Sequence, residues 1–233
     1  MPEIQLPEWI LFDLDNTLLD FNASSKKAFM SLIQSLETNA DPDCLFSRYK
    51  VLNASVWAER ESGRISHERL KVKRWELFFE DQDLKADAIS ANEHYFDIIR
   101  TSVDFVQGTQ TLLKRLSGQC RMAIVTNGLS EVQWPRIRRS GIEDFFEHIV
   151  ISDEIGSAKP QHEFFEHCSQ LIGHPDPHSV LVVGDTLESD ILGANGYGYR
   201  SCWFNHDYLE NDTNIKADFE LNKLEELVPL LGL

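Results

Sequence analysis

Three apolar runs that each stop abruptly at polar residues constrain this chain more than any other feature. Trp9-Ile10-Leu11-Phe12 ends at Asp13-Leu14-Asp15-Asn16-Thr17, Met122-Ala123-Ile124-Val125 ends at Thr126-Asn127-Gly128, and Val180-Leu181-Val182-Val183 ends at Gly184-Asp185-Thr186. Short runs of aliphatic and aromatic residues without polar alternation read as strands buried on both faces, the habit of parallel sheets. In open α/β sheets ligands gather beyond the carboxyl ends of the strands. The polar residues that close each run are therefore expected to share one site-forming edge. A plainer reading of the first run stands beside this one, because Asp-x-Asp-Asn-Thr also suits a chain leaving a strand through Asx turns.

The texture of the chain changes twice. From about Asn22 to Val103 it is helical in pattern, with Phe29, Leu32, Ile33 and Leu36 at helical spacing and no clear buried strand. From Gly108 onward strand and helix alternate. Leu112, Leu113 and Leu116 mark a helix before the strand that ends at Thr126, and another helix starts from Ser130. Further strands are expected near His148–Ile151, Val180–Val183 and Arg200–Phe204, with helices near His162–Ile172 and Glu188–Ala194. Right-handed crossovers wind such a pattern into an α/β fold, a Rossmann-like parallel sheet with helices on both faces. The expected division is a catalytic core of residues 1–21 and 104–233 and an inserted all-α cap of residues 22–103. Loops at Asp20–Ala23 and Asp104–Gly108 would act as a hinge.

With 38 acidic against 22 basic side chains the net charge is −16, which argues against a nucleic-acid polymer as partner, since affinity for phosphodiester backbones comes largely from Lys and Arg. The local basic cluster Arg136, Arg138 and Arg139 is read as a solvated helix face. Cys44, Cys120, Cys168 and Cys202 are scattered without CxxC spacing, so neither a zinc cluster nor a disulfide scaffold is expected. The first residues lack a basic, apolar leader and no later apolar stretch is long enough to cross a bilayer, so a cytoplasmic protein without a membrane partner is expected. His162 and His167 lie five apart and diverge on a helix, unlike the HExxH pair of zinc proteases. Gly193, Gly196 and Gly198 lack the order of a dinucleotide fingerprint.

Taken in order, Asp13-x-Asp15-x-Thr17, Thr126 at a strand end, Lys159 before Pro160, and Gly184-Asp185 with Asp190 resemble the four signature motifs of the haloacid dehalogenase superfamily. Ile124–Gly128, Ile151–Glu154, Gly184–Gly193, Cys202–Asn205, and Val56-Trp57 with Gly63-Arg64-Ile65 look like its bacterial pyrimidine 5′-nucleotidase branch. The resemblance implies a Mg²⁺-dependent phosphomonoester hydrolase acting on pyrimidine nucleoside 5′-monophosphates through an aspartyl phosphate. Asp13 would be the nucleophile and Asp15 the acid and base, the presence of this second aspartate favouring phosphoryl over carbon–halogen chemistry. Asp185, the Asp13 side chain and the Asp15 carbonyl would hold Mg²⁺. Asp190 would act through water or by orienting Lys159. Thr126, with the amides of Asn127 and Gly128, would cradle the phosphoryl group at a helix N-terminus, and Lys159 would neutralise nucleophile and phosphate together.

Substrate choice would fall to the cap and the loop after Asp15. Phe21, Trp57, Arg60, Trp75 and Phe78 are candidates to meet a nucleobase, although for each aromatic packing in the core is the stronger reading. A phosphate-sugar phosphatase or mutase on the same core is the alternative enzyme, and a phospho-accepting receiver the alternative from another class. A small phosphate ester is the expected partner, with the protein a monomer or homodimer.

Overall fold

The computed structural model describes residues 5–36 and 38–233. Its strands are β1 (Trp9–Phe12), β2 (Arg121–Thr126), β3 (His148–Ile151), β4 (Val180–Gly184), β5 (Arg200–Phe204) and β6 (Phe219–Leu221). They form one sheet in the order β3-β2-β1-β4-β5-β6, every neighbouring pair parallel. The first strand of the sequence is thus interior, with Phe12 level with Ile124 on one side and Val183 on the other. At the end of β1 the Asp13 N–H donates to the Val183 carbonyl at 2.9 Å.

The helices are α1 (Phe21–Gln34), α2 (Pro42–Glu61), α3 (His67–Asp81), α4 (Ala88–Thr101), α5 (Thr109–Leu116), α6 (Ser130–Ser140), α7 (Ser152–Ile155), α8 (His162–Leu171), α9 (Leu192–Tyr197) and α10 (Leu227–Leu230). Successive side chains of a strand point to opposite faces, and β1 feeds two cores accordingly. Ile10 and Phe12 join Leu112, Leu113 and Leu116 of α5, Ile137 of α6 and Leu227 and Leu230 of α10. Trp9 and Leu11 join Phe164, Phe165 and Cys168 of α8 and Ala194 of α9. Each fully buried side chain of this size contributes about 1.5–3 kcal/mol, so burial on both sides explains why the β1 run carries no polar residue.

Two stretches differ from the sequence reading. The helix expected near Glu188–Ala194 begins as a wide π turn over Leu187–Ile191, and regular α9 follows. β6 was not foreseen; it is three residues long at a sheet edge, too short to leave a pattern. Among the described residues no helix is long and apolar enough to cross a membrane.

The chain divides into two compact units, Met1–Phe21 with Val103–Leu233, and Asn22–Ser102. The second unit is all-α and is inserted between β1 and β2. Side chains of Asp41, Ser66 and Asp87 cap α2, α3 and α4 by accepting N–H bonds in their first turns. Its centre is aromatic: Tyr49 stacks on Trp75 at 4.6 Å, and Phe29 packs edge-on to Phe78 at 5.3 Å. Buried Arg74 lies 5.0 Å from the Tyr95 ring and donates to Asn92 Oδ1 at 2.6 Å.

Candidate active site

The polar residues that end β1, β2 and β4 converge with the loop before α8. Lys159 is 1% exposed, and its ammonium group donates to Asp13 Oδ1 at 2.6 Å, Asp190 Oδ1 at 2.6 Å and the Val125 carbonyl at 2.9 Å. All three ammonium protons are therefore used, and the nitrogen has a fixed place. Its backbone is held as well: Lys159 N–H donates to Asn127 Oδ1 at 2.8 Å while Asn127 Nδ2 donates to the Lys159 carbonyl at 2.9 Å. This two-point clasp joins the loop after β2 to the lysine loop.

Asp185 and Asp190 follow β4. Trp203 of β5 donates from Nε1 to the Asp185 carbonyl at 2.9 Å, and the Thr186 N–H donates to Asp190 Oδ2 at 3.1 Å, so the loop is pinned from both sides. Gly184 is required by the close approach of Asp190, because a Cβ there would lie 2.3 Å from that carboxyl. Asp13, Asp185 and Asp190 each offer an oxygen within 4.8 Å of the others.

Crowding carboxylates in a buried place has an electrostatic consequence. Burial raises Asp13 above the ordinary carboxylate value, Lys159 opposes the rise, and Asp190 adds to it. Burial likewise raises Asp185, with Asp13 and Asp190 contributing by like charge. Burial alone lowers an ammonium, yet Asp13 and Asp190 outweigh it and hold Lys159 above its usual value. One buried cation thus faces three carboxylates. Oxygen donors with surplus negative charge suit a hard divalent cation, so the donor set fits Mg²⁺.

Thr126, 1% exposed, ends β2, and its Oγ1 accepts from the Gly128 N–H at 3.2 Å. Asp15 is partly exposed, and both its oxygens are engaged by α6. Gln133 Nε2 donates to Oδ2 at 2.7 Å, and Arg136 Nη1 donates to Oδ1. Here the sequence reading is corrected: Arg138 and Arg139 are exposed, but Arg136 is 0% exposed and paired with Asp15. At about 100° per residue, Arg136 falls on the inward face with Val132, Gln133 and Ile137 rather than beside its basic neighbours. Gln133 was missed altogether; its signal was a polar residue three before an arginine on the face that carries those apolar residues.

Of the specificity candidates, Trp75 and Phe78 are 0% exposed and packed as core of the helical unit. Trp57 and Arg60 are half-buried on α2, and half-buried Phe21 lies with its ring 5.3 Å from the Arg136 guanidinium carbon.

A family model described as haloacid dehalogenase-like hydrolase matches residues 7–198. The pyrimidine 5′-nucleotidase YjjG of Escherichia coli K12 is 33% identical, the match covering 96% of this chain and 97% of that protein. A glyceraldehyde 3-phosphate phosphatase of Pyrococcus furiosus is 30% identical over 95% of this chain and 92% of its own. The crystal structure of the HAD-hydrolase YfnB of Bacillus subtilis bound to magnesium superposes with a TM-score of 0.90 at 30% identity, covering 98% of this chain and 100% of that one.

Proposed function

This chain belongs to the haloacid dehalogenase-like hydrolases, and from that premise we propose that it is a Mg²⁺-dependent phosphatase of pyrimidine nucleoside 5′-monophosphates. The observation that carries the chemistry is the Lys159 ammonium group bonded at once to Asp13 and Asp190 beside Asp185. Membership in a hydrolase family sets the phospho-accepting receiver aside. The nucleotide reading is supported by full-length similarity to the E. coli pyrimidine 5′-nucleotidase.

In the proposed reaction an Asp13 oxygen forms a bond to phosphorus, the ester P–O bond breaks, and Asp15 gives its proton to the departing oxygen. Water then attacks phosphorus, Asp15 takes its proton, and the bond to Asp13 breaks to release inorganic phosphate. Lys159 holds the nucleophile in place and offsets negative charge. Thr126 and the Asn127 amide receive the phosphoryl oxygens, while the Gly128 N–H is bonded to Thr126 Oγ1. Asp13, Asp185 and the Asp15 carbonyl would hold Mg²⁺, which when bound neutralises phosphoryl charge as a Lewis acid. Asp190 fixes Lys159 through its short contact.

A phosphate-release screen of UMP, dTMP, CMP, AMP and GMP against sugar phosphates, with Mg²⁺ and with chelator, tests this reading. Pyrimidine monophosphates should give the highest kcat/KM, and chelator should abolish turnover. A preference for glyceraldehyde 3-phosphate would move the substrate to the second reading, which similarity to the P. furiosus enzyme favours. No release from any ester would overturn both.

A further inference from the structure

We infer that Gln133 and Arg136 are positioning residues for the hydrolysis: Arg136 locks the amide of Gln133, which then holds the Asp15 carboxylate and leaves the Thr126 hydroxyl proton free for a phosphoryl oxygen. The inference rests on the phosphatase reading and adds to it a device that couples the proton-transfer group to the phosphate cradle. Gln133 is 1% exposed and Arg136 0% exposed, so neither is a surface residue that happens to face the site.

The direction of each bond follows from what each group can supply. A guanidinium has donors only, so the end of the Gln133 amide facing Arg136 Nη1 at 2.7 Å must be Oε1. The NH₂ end is thereby turned to two acceptors, Asp15 Oδ2 at 2.7 Å and Thr126 Oγ1 at 3.1 Å. Thr126 Oγ1 also accepts from the Gly128 N–H at 3.2 Å. A hydroxyl accepts twice and donates once; with both lone pairs occupied, its proton is what remains to give. One arginine therefore sets, through one amide, the state of two groups, one after β1 and one at the end of β2.

Two further features belong to the same device. A Cβ on residue 128 would lie 2.1 Å from Gln133 Nε2, so glycine there is what lets the amide pass. Arg136 keeps Nε and Nη2 buried without a partner while Phe21 covers the guanidinium. An ion pair whose guanidinium is buried with unused donors is a poor source of stability, so its contribution is sought in the reaction.

Both proposed proton transfers run through Asp15, but expulsion of an acidic phenol needs no proton. With p-nitrophenyl phosphate and Mg²⁺, Arg136→Met and Gln133→Met should load normally and stall afterwards. Rapid-quench kinetics should show a nitrophenol burst near one equivalent per enzyme, then steady turnover slowed about 10²-fold, the lower end of general acid–base contributions. Gln133→Met should also raise the inhibition constant of inorganic phosphate severalfold through Thr126, and Arg136→Lys should recover part of the rate. Wild-type turnover in both Met variants overturns the inference. So does loss of burst and turnover together in folded protein, because the defect then lies in the attack by Asp13 or in the architecture. Should Arg136→Met fail to fold, uncharged Gln133→Met decides alone. Asp15→Asn is the reference: if it stalls and the two variants do not, only this inference fails, whereas a wild type that releases no phosphate fails the underlying reading.

Discussion

In the proposed reaction Asp13 illustrates what a single buried carboxylate needs in order to act as a nucleophile. It must be ionised, yet burial raises its pKa and the neighbouring acids raise it further. Lys159 supplies part of the compensation, so Lys159→Met should lower kcat/KM by about 10²–10³, the scale of losing one donor to developing charge; unchanged kcat/KM would remove that role. A divalent ion supplies the rest in our reading. Mg²⁺ should raise the Tm of the metal-free protein by binding only the folded state, and Asp185→Asn should abolish the shift in a calorimetric titration. Away from the site, burial pushes the Cys120 thiol up to about 11 and Cys168 up to about 12, while Cys44 is exposed. Iodoacetamide at pH 8 should therefore label Cys44 first, as read by mass spectrometry. Linkage has a definite sign here: a thiol whose pKa is higher folded than unfolded favours the folded state below about pH 9. For Cys168 that preference is lost as pH rises towards about 12. The strand-end groups were legible in the sequence because chemistry confines them to one edge of a parallel sheet. Gln133 and Arg136 were not, since they stand on the inner side of α6, and the basic neighbours Arg138 and Arg139 suggested the outer side for Arg136.

At the scale of elements, the site depends on glycines where backbones meet side chains. Gly193 on α9 is packed so that a Cβ would lie 2.4 Å from Phe165 Cε2 and 3.0 Å from the Pro160 Cα. Phe165 is 0% exposed and Pro160 follows Lys159. Gly193→Ala should therefore cost about 1–3 kcal/mol in urea denaturation, the range for overpacking a filled core, and should lower kcat as well by shifting the lysine loop. An unaltered urea midpoint would show that α8 and α9 can part at no expense. The N-terminus of α6 is tied to α7 too, since Ser130 N–H donates to Asp153 Oδ2 at 3.1 Å, satisfying one of the free amides of a first turn. The buried strands β1, β2 and β4 were legible from unbroken apolar runs, and β3 and β5 from their place in the alternation. The individual helices of the inserted unit were less so, because their caps at Asp41, Ser66 and Asp87 are ordinary polar residues that mark a helix start only once the chain around them is folded.

For the molecule as a whole, a net charge of −16 is unfavourable for an anionic substrate at long range. Raising ionic strength from about 10 mM to about 150 mM shortens the screening length from about 30 Å to about 8 Å. At saturating Mg²⁺, kcat/KM for a dianionic ester should therefore rise severalfold; a fall would mean that the local field around Lys159 governs encounter instead. The strand order carries a consequence of another kind. β1 leaves the ribosome well before its sheet neighbours, which are residues 121–126 and 180–184. The contiguous helical insertion has all its own partners by residue 102, whereas β1 waits for β4, residues 180–184, before both its edges are covered. A nascent chain halted short of residue 180 would thus carry Asp13, the nucleophile of our reading, without the Asp185 and Asp190 that complete its carboxylate cluster.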